Sequence, residues 1–136
     1  MVFKKHSTMK KLLILLFSIL ISFNSYGEWT RIIGSADGEE TWYIDKYTIK
    51  ESGGYVYWWE MVDYLKPDKF GDMSNKLYFQ GDCGVSRVKT LSYNFYKQPM
   101  GNGESEVFNP PSSEWHYAVP NTAHYDTTNW ICDYVK

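Results

Sequence analysis

The chain has 136 residues, which is enough for one domain and too few for two of ordinary size. Residues 28–136 hold 10 Lys and Arg against 16 Asp and Glu, a net charge of −6. This acidic balance argues against nucleic acid or an anionic membrane surface as the main partner.

Residues 1–27 have the pattern of a secretory signal peptide. A lysine-rich start precedes the apolar run Leu12–Phe23, and Ser25-Tyr26-Gly27 places small residues where a signal peptidase needs them. This predicts cleavage before Glu28, with an uncleaved N-terminal anchor as the alternative. The run is shorter than the roughly 20 apolar residues of a membrane span. We therefore expect an exported domain of residues 28–136 with no membrane span after cleavage.

Residues 28–65 predict three strands in succession. Glu28–Gly34 should be the first and Thr41–Asp45 the second, with a turn at residues 35–38, because Asp-Gly tolerates the positive φ of a tight hairpin. Residues 46–51 fit either a strand extension or one helical turn. The third strand, Tyr55–Leu65, follows Gly53-Gly54 and is rich in aromatic and β-branched residues, which favour strands.

The third strand carries large side chains on both faces, since side chains alternate along a strand. One face holds Tyr55, Tyr57, Trp59, Met61, Asp63 and Leu65. The other holds Val56, Trp58, Glu60, Val62 and Tyr64. Neither face can lie open to water without exposing rings, so we expect the rest of the chain to assemble around this strand.

The second half of the chain predicts two further long strands and one helix. Asn75–Asp82 and Ser86–Tyr96 alternate apolar and polar residues, as in an antiparallel sheet with one wet side. Residues 66–74 and 98–106 read as surface loops. A helix is predicted after Pro120, capped by Asn121 or Thr122, because the apolar residues near the C-terminus have helical spacing. Three consecutive poor helix formers, residues 127–129, oppose this prediction.

Two cysteines, Cys83 and Cys132, in an exported chain predict a disulfide. The bridge would tie the predicted helix to the sheet. Two thiols and two scattered histidines, His116 and His124, do not have the spacing of a structural zinc site. We expect no metal and no other cofactor.

Sequence motifs typical of enzymes are missing. Glu60 and Asp63 lie on opposite faces of the third strand, so they cannot converge as an acid–base pair. The chain contains no nucleophile-elbow, metalloprotease or phosphate-loop motif. We therefore expect a protein that is not an enzyme.

The aromatic content predicts a binding surface. Most of the 21 rings in residues 28–136 should fill the core, but one short helix covers only one face of a sheet. We expect loops, a second subunit or a ligand to cover the other face. Our hypothesis is a homodimer or a protein-binding surface there, with Trp58, Val62 and Tyr64 as contact residues. Arg87 and Lys89 share a face of the fifth strand and either are solvated or add a basic patch to that surface.

The ordered landmarks of the chain resemble the surface-adhesin protein E family of small exported proteins in Gram-negative bacteria. They include Glu28-Trp29-Thr30, Thr41-Trp42-Tyr43-Ile44-Asp45, Trp59, Asp63-Tyr64, Asp82-Cys83, Arg87, Met100-Gly101-Asn102-Gly103, Asn109-Pro110-Pro111, Trp115, Pro120 and Cys132. The resemblance implies an α+β fold, a single curved antiparallel sheet of about six strands with a C-terminal helix. In this family a disulfide, here Cys83–Cys132, ties that helix to the concave side of the sheet.

The resemblance also implies a protein-binding envelope protein. The family includes an outer-surface adhesin that forms dimers and binds host matrix and serum proteins such as vitronectin and laminin. The alternative is a periplasmic inhibitor or ligand-binding module similar to lysozyme-inhibitor domains, whose acidic charge would suit a basic target. Since no cysteine follows the apolar run to take a lipid, the expected location is the periplasm, or else the outer surface or the medium.

Overall fold

The structure is a computed structural model that describes residues 28–110 and 113–136. The predicted signal peptide, residues 1–27, and the second proline of the landmark Asn109-Pro110-Pro111 lie outside the described residues. No helix in the described part of the chain is long and apolar enough to cross a membrane.

One antiparallel sheet and one C-terminal α-helix form the described fold, which confirms the predicted class. The elements are β1 Trp29–Gly34, β2 Glu40–Asp45, β3 Lys50–Ser52, β4 Tyr55–Tyr64, β5 Ser74–Asp82, β6 Arg87–Tyr96, β7 Ser105–Phe108, β8 His116–Tyr117 and α1 Ala123–Tyr134. The five strands expected from the sequence appear within one residue of their predicted bounds. The sheet order is β1-β2-β4-β5-β6-β7, with β3 also paired to β4 and β8 also paired to β6.

Residues 46–51 adopt both of the predicted alternatives, one after the other. Lys46–Thr48 forms a single 3-10 turn, and β3 follows it. As a result β2 pairs with the second half of β4 and β3 with its first half, with the turn lying between them. In this gap the Trp59 N–H donates to the Thr48 hydroxyl at 3.3 Å, and that hydroxyl donates to the Asp45 carbonyl at 2.8 Å.

Thr48→Val is expected to lower the free energy of unfolding by about 1–3 kcal/mol, because the Trp59 N–H then loses its acceptor. Thr41→Val is the matched control, since the Thr41 hydroxyl makes no hydrogen bond with the described residues and the change should stay within about 0.5 kcal/mol. Urea unfolding of both variants checks this. Equal losses in the two variants would contradict the role of the Thr48 hydroxyl.

α1 packs on the face of β4 that carries Val56 and Trp58. The buried core contains Ile44, Val56, Trp58, Leu77, Phe79, Val88 and Ile131. Trp58 fits beneath the helix because Gly81, diagonal to it on β5, has no side chain; a Cβ there would come within 2.7 Å of the indole. The prediction that this face awaits a partner is therefore wrong, since the helix covers it.

The helix begins and is fastened as expected. The Thr122 hydroxyl caps its N-terminus by accepting the Tyr125 N–H at 3.2 Å. Thr127 and Thr128, which oppose a helix by propensity, are both buried and donate their hydroxyls to the His124 carbonyl at 3.0 and 2.7 Å. Packing against the sheet thus overrides propensity here.

The predicted disulfide between Cys83 and Cys132 is confirmed. The two Cα atoms lie 5.6 Å apart and are separated by 49 positions in the sequence. Cys83 follows β5 directly, and Cys132 lies in the last turns of α1. The bridge therefore joins the helix to the central part of the sheet.

Candidate binding surface on the helix-free face

The sheet face that points away from α1, here called the open face, carries a row of aromatic rings. Trp59 of β4 pairs with Tyr78 of β5, and their rings stack with centroids 4.8 Å apart. The ring of Tyr57, two residues before Trp59 on β4, has its centroid 6.3 Å from that of Tyr78. All three side chains are half-buried. Because the rings support one another, the row offers a rigid, partly accessible aromatic surface.

A second group on the open face, here called the Trp115 cluster, consists of Trp115, Tyr55, Arg87 and Lys89. The Arg87 guanidinium carbon lies 4.3 Å from the centroid of the indole, and Lys89 Nζ lies 4.8 Å from it. The Tyr55 ring is 5.5 Å away, centroid to centroid. Cations at these distances are attracted by the negative face of the indole. Two cations and a ring therefore hold Trp115 in place.

The short strand β8 delivers Trp115 to this face. His116 pairs with Val88, and Tyr117 pairs with Arg87. Because side chains alternate, His116 points towards α1, and its neighbour Trp115 points to the open face. On the helix side the His116 and His124 rings meet, with 3.2 Å between their Nε2 atoms.

A β-bulge in β6 brings Arg87 and Lys89 to the open face. The pairing with β5 shifts between Ser92 and Thr90, so Leu91 is an extra residue. By simple alternation Lys89 would share a face with Tyr93, which packs against the core on the helix side. Because the extra residue shifts the alternation by one position, Lys89 and Arg87 lie on the face opposite to Tyr93.

The other sequence-predicted contact residues lie elsewhere. Trp58 and Val62 are 0% and 2% exposed, so both belong to the core beneath α1. Tyr64 also lies on the helix side and is half-buried; its hydroxyl accepts a hydrogen bond from Asn75 Nδ2 at 2.5 Å. Burial, and secondarily the charge of Glu40, raises the pKa of Tyr64 to about 12. Of the five predicted residues, only Arg87 and Lys89 reach the open face.

Trp115 is a candidate contact residue of the open face that the sequence did not predict. It appeared among the family landmarks, but β8 has only two residues and gives no detectable strand pattern. Its parity with Arg87 becomes evident only once β8 pairs with β6. An isolated tryptophan between polar residues, Glu114 and His116, was the one available signal.

Two titratable groups with strongly shifted pKa values, Glu60 and His124, lie on the helix side of the sheet, and we find no metal-holding cluster among the described residues. No three His, Cys, Asp or Glu side chains in residues 28–110 and 113–136 converge to hold a metal ion. Glu60 is fully buried beneath α1, where burial raises its pKa to about 7. Burial, and then the charge of His116, lowers the pKa of His124 to about 4. Both groups lie on the helix side, away from the open face.

A family model described as surface-adhesin protein E matches residues 29–133. The chain belongs to this family. The matched range runs from β1 to the last turn of α1, so it includes the whole sheet, both cysteines and the Trp115 cluster. The family assignment predicted from the landmarks is thus confirmed.

Solved structures of protein E from Haemophilus influenzae share this fold. Crystal form II has a TM-score of 0.61 at 19% identity, with 79% of this chain and 90% of that chain covered. A second structure has a TM-score of 0.58 at 18% identity, covering 78% and 84%. A structure from a non-typeable strain gives 0.56 at 18% identity, covering 77% and 75%. At this identity the likeness is one of fold. A search of curated protein sequences gave no match.

Proposed function

We propose that this member of the surface-adhesin protein E family is an exported, non-enzymatic envelope protein that binds another protein through its open face. The observation that carries the proposal is the Trp115 cluster, in which a half-buried indole is fixed between Arg87, Lys89 and Tyr55. Trp, Tyr and Arg are the residues most enriched at interface hot spots. Because stacking already orders these side chains, a partner would lose little conformational entropy on binding them.

The charge of the cluster indicates the kind of partner surface. The domain as a whole is acidic, yet the Trp115 cluster brings two cations together. Arg87 is partly neutralised by Asp82, whose Oδ2 accepts its Nε–H at 3.1 Å, while Lys89 has no ion pair among the described residues. An acidic segment next to an aromatic or aliphatic group would suit this arrangement. Added salt should then weaken binding by slowing association.

The family description, surface-adhesin protein E, supports an adhesin role. We extend it by proposing a protein of host matrix or serum as the partner. The proposal places the mature domain, residues 28–136, outside the inner membrane, in the periplasm or at the outer surface. A second copy of the chain is the other partner that an exposed ring surface can take. Sedimentation of the mature domain at rising concentration tests that homodimer directly.

Trp115→Ala is expected to weaken binding of the mature domain to its protein partner at least about tenfold, as loss of a hot-spot residue does. Vitronectin and laminin are the two probes, each immobilised and titrated with the purified domain. Tyr134→Ala is the matched control, because Tyr134 is an exposed ring on α1, on the opposite side of the sheet. Its binding should equal that of the unmodified domain.

Two results would overturn the proposal. If neither probe binds the unmodified domain, the adhesin role fails; if Trp115→Ala binds as tightly as Tyr134→Ala, the open face is not the contact surface. Thermal unfolding of both variants ensures that folded proteins are compared. Lys89→Ala with its own salt series then measures the electrostatic share of binding.

The inhibitor alternative stays a prediction. It depends on the acidic charge of the domain, which would suit a basic enzyme. A lysozyme activity assay with the purified mature domain tests it. Inhibition that survives Trp115→Ala would assign that activity to a surface other than the Trp115 cluster.

A further inference from the structure

The open face holds a pocket of about 300 Å³ at the end opposite the Trp115 cluster. It is lined by Trp29, Asp45, Thr48, Trp59, Lys76, Asn94 and Tyr96. This volume is at the small end of the range for ligand-binding sites. The pocket exists because the 3-10 turn Lys46–Thr48 interrupts the strand edge beside Trp59, leaving a notch between β2 and β3.

Aromatic rings form the apolar part of the pocket wall. Lys76 Nζ lies 5.5 Å from the centroid of the Trp29 ring and 5.0 Å from that of Tyr96. The Lys76 stem packs against Gly101, whose positive φ and lack of a Cβ allow the loop to approach this closely. The loop thus fixes the position of the ammonium group at the pocket.

Hydrogen-bonding groups in the pocket lack partners among the described residues. Lys76 Nζ makes no ion pair and no hydrogen bond with them. Its partial burial lowers the pKa of Lys76. Asn94 Oδ1 is buried without a donor. Asp45 uses one oxygen to accept the Tyr47 N–H at 3.0 Å. A buried acceptor without a donor is uncommon and costs free energy, which a ligand hydroxyl could recover.

We propose that this pocket binds one neutral sugar ring of a glycan. A pyranose presents a C–H face that packs on aromatic rings, and its rim of hydroxyls both donates and accepts hydrogen bonds. Trp29, Trp59 and Tyr96 supply rings for the first contact. Lys76 donates to sugar oxygens, and Asp45 and Asn94 accept from hydroxyls, so each of these three groups gains a partner.

The charges in the pocket favour a neutral ligand over an acidic one. Lys76 is the cation of the pocket wall, and Asp45 contributes a carboxylate to the same wall. A ligand carboxylate would be attracted by the first and repelled by the second, in a site where screening by water is reduced. A neutral polyol meets no such repulsion. The site therefore selects for hydroxyls rather than for charge.

This inference can be tested apart from the Trp115 cluster, which carries the proposed protein contact, because the pocket and that cluster share no residue. The Trp115 cluster consists of Trp115, Tyr55, Arg87 and Lys89, and none of these lines the pocket. Substitutions in one site should leave the other intact. Failure of either proposal can thus be recognised separately.

Titration of the ¹⁵N-labelled mature domain with galactose, N-acetylglucosamine or N-acetylneuraminic acid tests the proposal. A single ring should bind with a Kd on the order of 1 mM, because so small a ligand makes few contacts. We expect saturable shifts of the Trp29 and Trp59 indole N–H signals with at least one of the two neutral sugars. Lys76→Met, which keeps the stem, should weaken that binding at least about fivefold, and Trp115→Ala should leave it unchanged.

Three results would overturn the proposal. These are the absence of saturable shifts with either neutral sugar, saturable shifts with the acidic sugar alone, and shifts that map away from the pocket. The titration of the unmodified domain decides all three, so the proposal stays testable even if Lys76→Met does not fold. Tyr134→Ala serves as a folded control for the titration.

Discussion

Replacing both Cys83 and Cys132 by alanine should lower the free energy of unfolding by about 4 kcal/mol. The bridge closes a loop of 49 positions, and the chain-entropy account gives about this value for a loop of that length. A domain of this size is stable by only about 5–15 kcal/mol in total, so the loss would be a large share. The bridge also holds Ile131, a fully buried residue of α1, against the sheet.

Urea unfolding of the oxidised domain, the reduced domain and the double alanine variant measures this loss. The reduced domain and the variant should agree within about 1 kcal/mol, because both lack the same constraint on the unfolded chain. The single variant Cys83→Ala is the control for loss of the half-buried sulfur, and it should match the double variant. A double variant as stable as the oxidised domain would contradict the role of the cross-link.

The strands and the disulfide could be predicted because their signals are local or few. β4 combines alternating rings with a Gly-Gly turn before it, and a chain with two cysteines allows one intramolecular pairing. The assignment of the two faces of β4 could not be made in the same way. Alternation separates Trp58 from Trp59, but both sets contain large rings, and the deciding residue is Gly81 on the neighbouring strand.

The positions of the candidate contact residues on the open face depend on non-local pairing. Lys89 reaches that face only because Leu91 is an extra residue in β6, and a bulge leaves no clear mark in an alternating sequence. Trp115 reaches it only because β8 pairs with Arg87, almost 30 positions earlier in the chain. The pocket requires the turn Lys46–Thr48, which the sequence left undecided between strand and helix.

The stability of the domain should change little between about pH 4.5 and 6.5, because two buried groups oppose each other there. Burial raises the pKa of Glu60 from 4.5 to about 7, with the Trp58 indole, a hydrogen-bond donor to Oε1, opposing the rise. The nearby Thr127 hydroxyl also favours the charged form of the Glu60 carboxyl, although its hydrogen bond goes to the His124 carbonyl. Glu60 Oε2 therefore has no hydrogen-bond partner among the described residues. Burial and His116 lower the pKa of His124 from 6.5 to about 4.

The two shifts act with opposite signs. Between pH 4.5 and 7 the folded domain holds a proton on Glu60 that the unfolded chain releases, so this contribution is full at low pH and is lost as the pH rises. Between pH 6.5 and 4 the unfolded chain takes up a proton that His124 refuses in the folded domain, so acidification destabilises the fold. Each shift corresponds to about 3 kcal/mol.

Single substitutions should reveal how each buried group alone makes the free energy of unfolding depend on pH. Glu60→Gln is expected to stabilise the domain by about 3 kcal/mol at and above pH 7. On acidification this variant should lose about 3 kcal/mol of its free energy of unfolding, because only the His124 contribution remains. His124→Asn should leave the opposite profile, in which stability rises as the pH falls from 7 to 4.5. Urea unfolding across this range, with the disulfide intact, measures both profiles.

The double variant Glu60→Gln/His124→Asn is the decisive control. Without either group its profile between pH 4.5 and 6.5 should be as flat as that of the unmodified domain, although its absolute stability will differ. If both single variants stay flat as well, neither buried group controls the response of the fold to pH. If only Glu60→Gln develops a slope, the raised pKa of the Glu60 carboxyl would be contradicted while the lowered pKa of His124 would stand. The two titrations are separable because Glu60 is a buried residue of β4, whereas His124 lies on α1 beside Phe79.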